Sequence, residues 1–183
     1  MAANSSGETT QSVLTRASVN SLQNVPVPDS KQVIDHLVLT DRVLAISSKD
    51  WEGKFTVSEN GVPKLDGKSV AQNVEKATWV ERVIRKQLVG TSLEAHEPET
   101  VLCLTGADWQ VDVPWLQFRW AWVVPVNNLL EFLAKNEFDS SPVFDDARAV
   151  RVVKSVFDGD IEALAEERLA EKKRRVYQPA HAA

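Results

Sequence analysis

Two branched, apolar stretches, Val33–Thr40 and Arg42–Ser48, stand almost end to end, with only Asp41 and its neighbours between them. A gap that short leaves no room for a crossover, so the pair reads as a tight antiparallel hairpin. A third short strand, Lys54 to Ser58, runs into the turn signal Glu59-Asn60-Gly61. Val62 to Gly67 is its returning arm, which Pro63 should hold to a sheet edge.

Helices are expected on both sides of these strands. Gly7 to about Leu22 has the sparse apolar spacing of a weak amphipathic helix. Val25 to Ser30 holds two prolines and is a connector, or an edge strand at most. Ser69 is placed to cap the strongest helix, in which Val70, Val74, Ala77, Val80, Val83, Ile84 and Leu88 recur at helical spacing up to Gly90. Thr100–Leu104 reads as a short buried strand and Trp115–Val124 as another, with Trp120 and Trp122 on one face against the long helix. Asn127 can cap a short helix over Leu129–Lys135, and two more helices span Asp145–Phe157 and Ile161 to about Tyr177. This order indicates a mixed α/β core.

Composition narrows the function classes. With 183 residues, 43% hydrophobic and 26% charged, the chain suits one globular domain and not a disordered or fibrous one. The single cysteine, Cys103, excludes a disulfide scaffold and a multi-cysteine zinc site. Seven glycines cannot be assembled into a phosphate-cradling loop. A balance of 21 basic to 26 acidic side chains argues against a whole-surface grip on nucleic acid and leaves room for a local basic patch. No apolar run is long enough to span a bilayer and no basic-then-apolar leader follows Met1, so the expected location is the cytoplasm, without membrane contact.

The residues with chemical promise lie in the first hairpin. Ile34-Asp35-His36 puts a carboxylate in an apolar strand, and Lys49 sits just past the end of the next. Ser47 and Lys49, two apart, share a strand face. An acid facing such a pair across a hairpin is the arrangement of a magnesium-dependent nuclease, in which carboxylates hold the metal and a lysine positions the attacking water. Plainer readings stand beside it: Asp35 as a structural buried acid, Lys49 as a solvent-facing lysine, Glu8 as a helix-dipole partner. His36, His96 and His181 show no metal-ligand spacing, and Cys103 inside an apolar strand is core. The run Lys172-Lys173-Arg174-Arg175 suits a helix C-terminus before it suits nucleic acid. Trp109 and Trp115, bounding a polar loop, are candidates for a base-stacking platform or a partner interface, with core packing the better reading for most of the six tryptophans.

Taken in order, Gly7-Glu8, then Val33 to Leu39, then Ala45-Ile46-Ser47-Ser48-Lys49-Asp50-Trp51-Glu52-Gly53-Lys54, the chain resembles the nuclease-related domain (NERD) family of the PD-(D/E)XK nuclease-like superfamily. The likeness runs on through Asp66-Gly67-Lys68 and Val101 to Ala107, and covers about Gly7 to Lys135. It implies a restriction-endonuclease-like α/β (α+β) fold, a mixed central sheet flanked by helices. Residues 1–6 are then a disordered N-terminus, 7–135 the nuclease-related domain and 136–183 a helical C-terminal extension. In the family, an acid of the first helix, an Asp of the hairpin and an acid-x-Lys element form the catalytic pattern. Glu8, Asp35 and Lys49 match it; Glu8 and Asp35 would hold Mg2+ or Mn2+, and Lys49 would orient the water or the scissile phosphate. Ser47 stands where the family has Asp or Glu, and a neutral hydroxyl is a far poorer ligand for a hard cation. The implied function is nucleic-acid processing by metal-dependent phosphodiester hydrolysis, impaired at Ser47, on DNA ahead of RNA. The alternative is a degenerate nuclease-like domain that binds nucleic acid or protein, the latter through the C-terminal helices or the Trp109–Trp115 loop.

Overall fold

The computed structural model describes residues 8–27, 30–40, 42–135 and 146–177; the expected disordered terminus at 1–6, the hairpin tip at Asp41 and the helix start at Asp145 lie outside them. The fold is mixed α+β. Helix α1 (Thr10–Ala17) is followed by strands β1 (Asn20–Pro26), β2 (Val33–Leu39) and β3 (Val43–Lys49). Next come β4 (Gly53–Val57), β5 (Pro63–Leu65), β6 (Lys68–Ser69) and helix α2 (Ala71–Leu88). Then β7 (Pro98–Leu104), β8 (Ala107–Trp109), β9 (Leu116–Phe118) and β10 (Ala121–Pro125) lead to α3 (Val126–Lys135), α4 (Asp146–Phe157) and α5 (Ile161–Tyr177).

The main sheet has the order β1-β2-β3-β7-β10-β9. Its left half is antiparallel, and β3, β7 and β10 run parallel at the centre. A smaller sheet, β6-β5-β4-β8, stands beside it. The predicted hairpin is present as β2 and β3, paired from Leu39↔Val43 to His36↔Ile46.

Two-residue alternation sorts the main sheet's side chains into two cores. Val38, Leu44, Ile46, Val101, Cys103 and Val124 pack with Val13 and Leu14 of α1 and with Leu129 and Phe132 of α3. On the opposite face Leu37, Leu39, Val43 and Ala45 pack with Val80, Ile84 and Leu88 of α2. Helix α4 contributes Ala149, Val152, Val153, Val156 and Phe157 to that same core. A third cluster joins Phe55 of the small sheet to Val70 and Val74, and to Leu102, Leu104, Ala121 and Val123 of the main one.

Several expectations are corrected. The first helix stops at Ala17, where Ser18 takes a left-handed conformation at φ 55°, and Asn20–Pro26 is an edge strand. Serine closes the helix there without the glycine that usually marks such a cap. Pro63 does not sit on an edge strand: β5 lies between β4 and β6, and the proline opens the strand, where a missing N–H costs little. Helix α2 begins after Val70, not at Ser69, which belongs to β6; the Ser69 hydroxyl still accepts a 3.4 Å bond from the Ala71 nitrogen. The single strand expected over Trp115–Val124 is a hairpin, broken at Arg119, whose φ is 56°. Trp120 therefore lies in its turn and is 71% exposed, and Trp122 packs edge-on against Phe132 and donates to Glu99 at 2.7 Å. Among the described residues no helix is long and apolar enough to cross a membrane.

Candidate functional site

Past His36↔Ile46 the hairpin forks. Val33 and Ile34 stay with β1, while Ser47, Ser48 and Lys49 continue only against β7, at Leu102, Cys103 and Leu104. The β1 ladder also skips the position of Asn24 and Asp35, where Asn24 has a φ of 52°. A fork inside a sheet strands main-chain donors that must find partners elsewhere. Asp35 meets this need: its Oδ2 accepts from the Ser48 nitrogen at 2.7 Å.

Helix α1 closes over one side of the fork. Thr9 caps it with a reciprocal box, its hydroxyl accepting from the Ser12 nitrogen while Ser12 Oγ accepts from the Thr9 nitrogen, both at 3.1 Å. The next residue, Thr10, is buried and accepts a 2.7 Å bond from Ser48 Oγ. Between α1 and the ends of β3 and β7 lies a cavity of about 680 Å³, lined by Glu8, Thr10, His36, Ser48, Asp50 and Glu52 among others. Gly106 forms part of its wall, and a methyl group there would meet Asp50 Oδ1 at 2.7 Å.

The candidate residues are divided by the sheet. Ile46 packs on the α1 side, so Ser48 points into the cavity and Ser47 and Lys49 point to the opposite, α2 side. Their β7 partners Leu102 and Leu104 belong to the cluster with Val70 and Val74. Glu8 lines the α1 cavity, just ahead of the helix and not in its first turn, and its carboxylate is 2.7 Å from Arg16. Asp35 alternates with the cavity-lining His36 and is held at the fork by the Ser48 amide.

Two titratable groups beside the cavity are perturbed. Burial lowers the His36 pKa from 6.5, opposed in part by the Asp35 charge, and its Nδ1 is buried with no hydrogen-bond partner among the described residues. Burial pushes the Cys103 thiol up to about 11; a Thr10 hydrogen bond works against that and the Glu8 charge adds to it. A thiol so far from ionisation is a poor nucleophile at neutral pH.

The family model for the nuclease-related domain matches residues 8–105. The chain belongs to the nuclease-related domain family. That match spans α1 to the end of β7 and so takes in the fork and the α1 cavity. No curated protein and no solved structure matches the chain.

A nuclease-related domain that hydrolyses phosphodiesters needs its acids around one point, where they can share a divalent cation. Among the described residues no three His, Cys, Asp or Glu side chains are grouped so as to hold a metal ion. One oxygen of Asp35 serves the backbone, Glu8 pairs with Arg16, and Ser47 brings no charge. As arranged here, Glu8, Asp35 and Ser47 do not make a donor set for Mg2+ or Mn2+.

Sequence reasoning missed Thr10 and Ser48, whose hydroxyls tie α1 to β3. The spacing of Asp50, opposite in face to Ser47, and of Glu52, beyond the strand, argues against either replacing an acid at Ser47, and both line the α1 cavity with Ser48 and Glu8. Trp109 and Trp115, candidates for a stacking platform, are engaged internally, as the core-packing reading of the tryptophans has it. Trp109 stacks on Phe55 with ring centres 4.9 Å apart and donates to the Val113 carbonyl at 2.8 Å, and Trp115 packs edge-on against Phe132.

Proposed function

We propose that this nuclease-related domain binds nucleic acid without metal-dependent cleavage, the second of the two functions its resemblance implies. The observation that carries this reading is the division of the family's positions by the sheet, Glu8 on the α1 side and Ser47 with Lys49 on the α2 side. Asp35 is bonded at the fork to the Ser48 amide. A hydrolytic site would have to bring three carboxylates and the lysine to one scissile phosphate. Here one acid is a serine and another is paired with an arginine.

Cleavage of single- and double-stranded DNA and RNA, with Mg2+ or Mn2+, tests it directly. The native chain is expected to leave every substrate intact while retarding at least one in a binding assay. Cleavage that Asp35→Ala and Lys49→Ala both abolish would overturn the reading. A gain of cleavage by Ser47→Glu would instead trace the defect to the missing acid alone.

A further inference from the structure

A second candidate surface shares no lining residue with the α1 cavity. The β9–β10 turn is docked against α2 by an ion pair between Arg119 and Glu75. Arg119 adopts the left-handed conformation that makes the turn, and its guanidinium lies 5.5 Å from the centre of the Phe118 ring. With the backbone so fixed, the next residue, Trp120, is carried outward beside the helix and is 71% exposed.

Trp120 and α2 enclose an open groove of about 530 Å³ whose cations are Arg82, Arg85 and Lys86. Glu81 also lines it and holds Arg85 at 2.7 Å. Arg82 and Lys86 make no ion pair with any described residue and are exposed one helical turn apart. Trp79, on the same helix, is 40% exposed. An exposed aromatic ring beside a positively charged groove is the combination that single-strand binders use. The chain carries a net charge of -5, so a run of unpaired cations beside a bare indole is a local departure.

We propose that this groove binds single-stranded nucleic acid, with a base stacked on Trp120 and successive phosphates on Arg82 and Lys86. Residues four apart on a helix are about 6 Å apart, on the order of the spacing between neighbouring phosphates of a strand. An exposed indole can stack only on a base whose face is free, which a duplex does not offer along its length. The proposal rests on the nucleic-acid-binding reading above and assigns it a surface and a strand state.

The test is fluorescence anisotropy of the full chain with labelled single strands of about 20 nucleotides, DNA and RNA, and the matching duplexes, titrated across salt. Single strands are expected to bind more tightly than duplexes. Trp120→Ala should weaken binding about tenfold and Trp120→Phe should restore most of it. Replacing Arg82 and Lys86 together by alanine should lower the slope of log affinity against log salt by about 1.4, at 0.7 for each contact. Binding that ignores these changes but falls with Lys49→Ala would overturn the assignment of this surface and leave the nucleic-acid-binding reading standing. No binding of any strand by the native chain at low salt would overturn that reading, and this proposal with it.

Discussion

The Asp35 carboxylate accepts a 2.7 Å hydrogen bond from the main-chain nitrogen of Ser48, across the point where β2 and β3 separate. One oxygen of this acid thus serves the backbone. Ser47, on the neighbouring strand, carries no charge. Asp35→Ala should therefore cost stability, about 1–3 kcal/mol from a charge-assisted bond and an orphaned amide, and leave the response to Mg2+ unchanged. Urea unfolding with and without the metal measures both. A loss of metal-induced stabilisation in the variant would show that Asp35 is a ligand after all.

Ser48 and Thr10 join α1 to β3 through hydroxyls 2.7 Å apart, with Thr10 almost wholly buried. Thr10→Val keeps the shape and removes the acceptor. It should destabilise the chain by about 1 kcal/mol, and Ser48→Ala in addition should cost little more, because the pair is lost at the first step. Additive losses in a double-mutant cycle would mean that the two hydroxyls act separately.

His36 makes stability depend on pH in a definite direction. Burial holds its folded pKa below 6.5, so the unfolded chain takes up the proton first as pH falls. The contribution is complete above 6.5 and declines as pH drops through the unfolded value toward the folded one. His36→Leu should flatten the pH dependence of the urea midpoint between about pH 7 and pH 5. An unchanged slope would assign the dependence elsewhere.

Arg148 links α4 to α5 by bonds to Glu167 at 2.6 Å and Glu171 at 3.1 Å, in a setting only about a tenth exposed. Burial works against the Glu167 charge, but bonds from Arg148 and Ser92 outweigh it and hold the carboxyl below its usual pKa. Removing the arginine leaves Glu167 without its counter-charge and Glu171 with Arg175 alone, 3.4 Å away. Arg148→Ala should cost about 3 kcal/mol, and Glu167→Gln should remove part of the acid sensitivity that sets in below pH 4.5. Chemical unfolding at neutral and acid pH reads both effects.

Cys103 should resist thiol reagents in the folded chain and react at once in denaturant, since its thiol is fully buried and its pKa stands at about 11. Labelling the native protein at neutral pH on the timescale of free cysteine would contradict the packing around β7.

Where pattern and burial agree, the fold was readable from the sequence. The β2–β3 hairpin follows from two branched runs, and α2 from apolar residues at helical spacing that end up buried at Val74, Val80, Ile84 and Leu88. The errors fall where the chain uses an unmarked backbone turn. Ser18, Asn24 and Arg119 all take positive φ without being glycine, and these residues end α1, interrupt β1 opposite Asp35 and split the tryptophan-rich strand. The site was legible only as a set of residue types. Spacing puts Ser47 and Lys49 on one face of β3, but it cannot say that Glu8 approaches from the other, because that depends on which side of the sheet α1 packs.

Helix α4 begins beyond the matched segment and fills the core above Ile34, Leu37 and Leu39. A chain cut after Lys135 would bare the part of that core that α2 leaves uncovered, next to the open edge of β1. Such a fragment should precipitate or associate with its own copies, so the shortest piece that keeps this core closed has to run through Phe157.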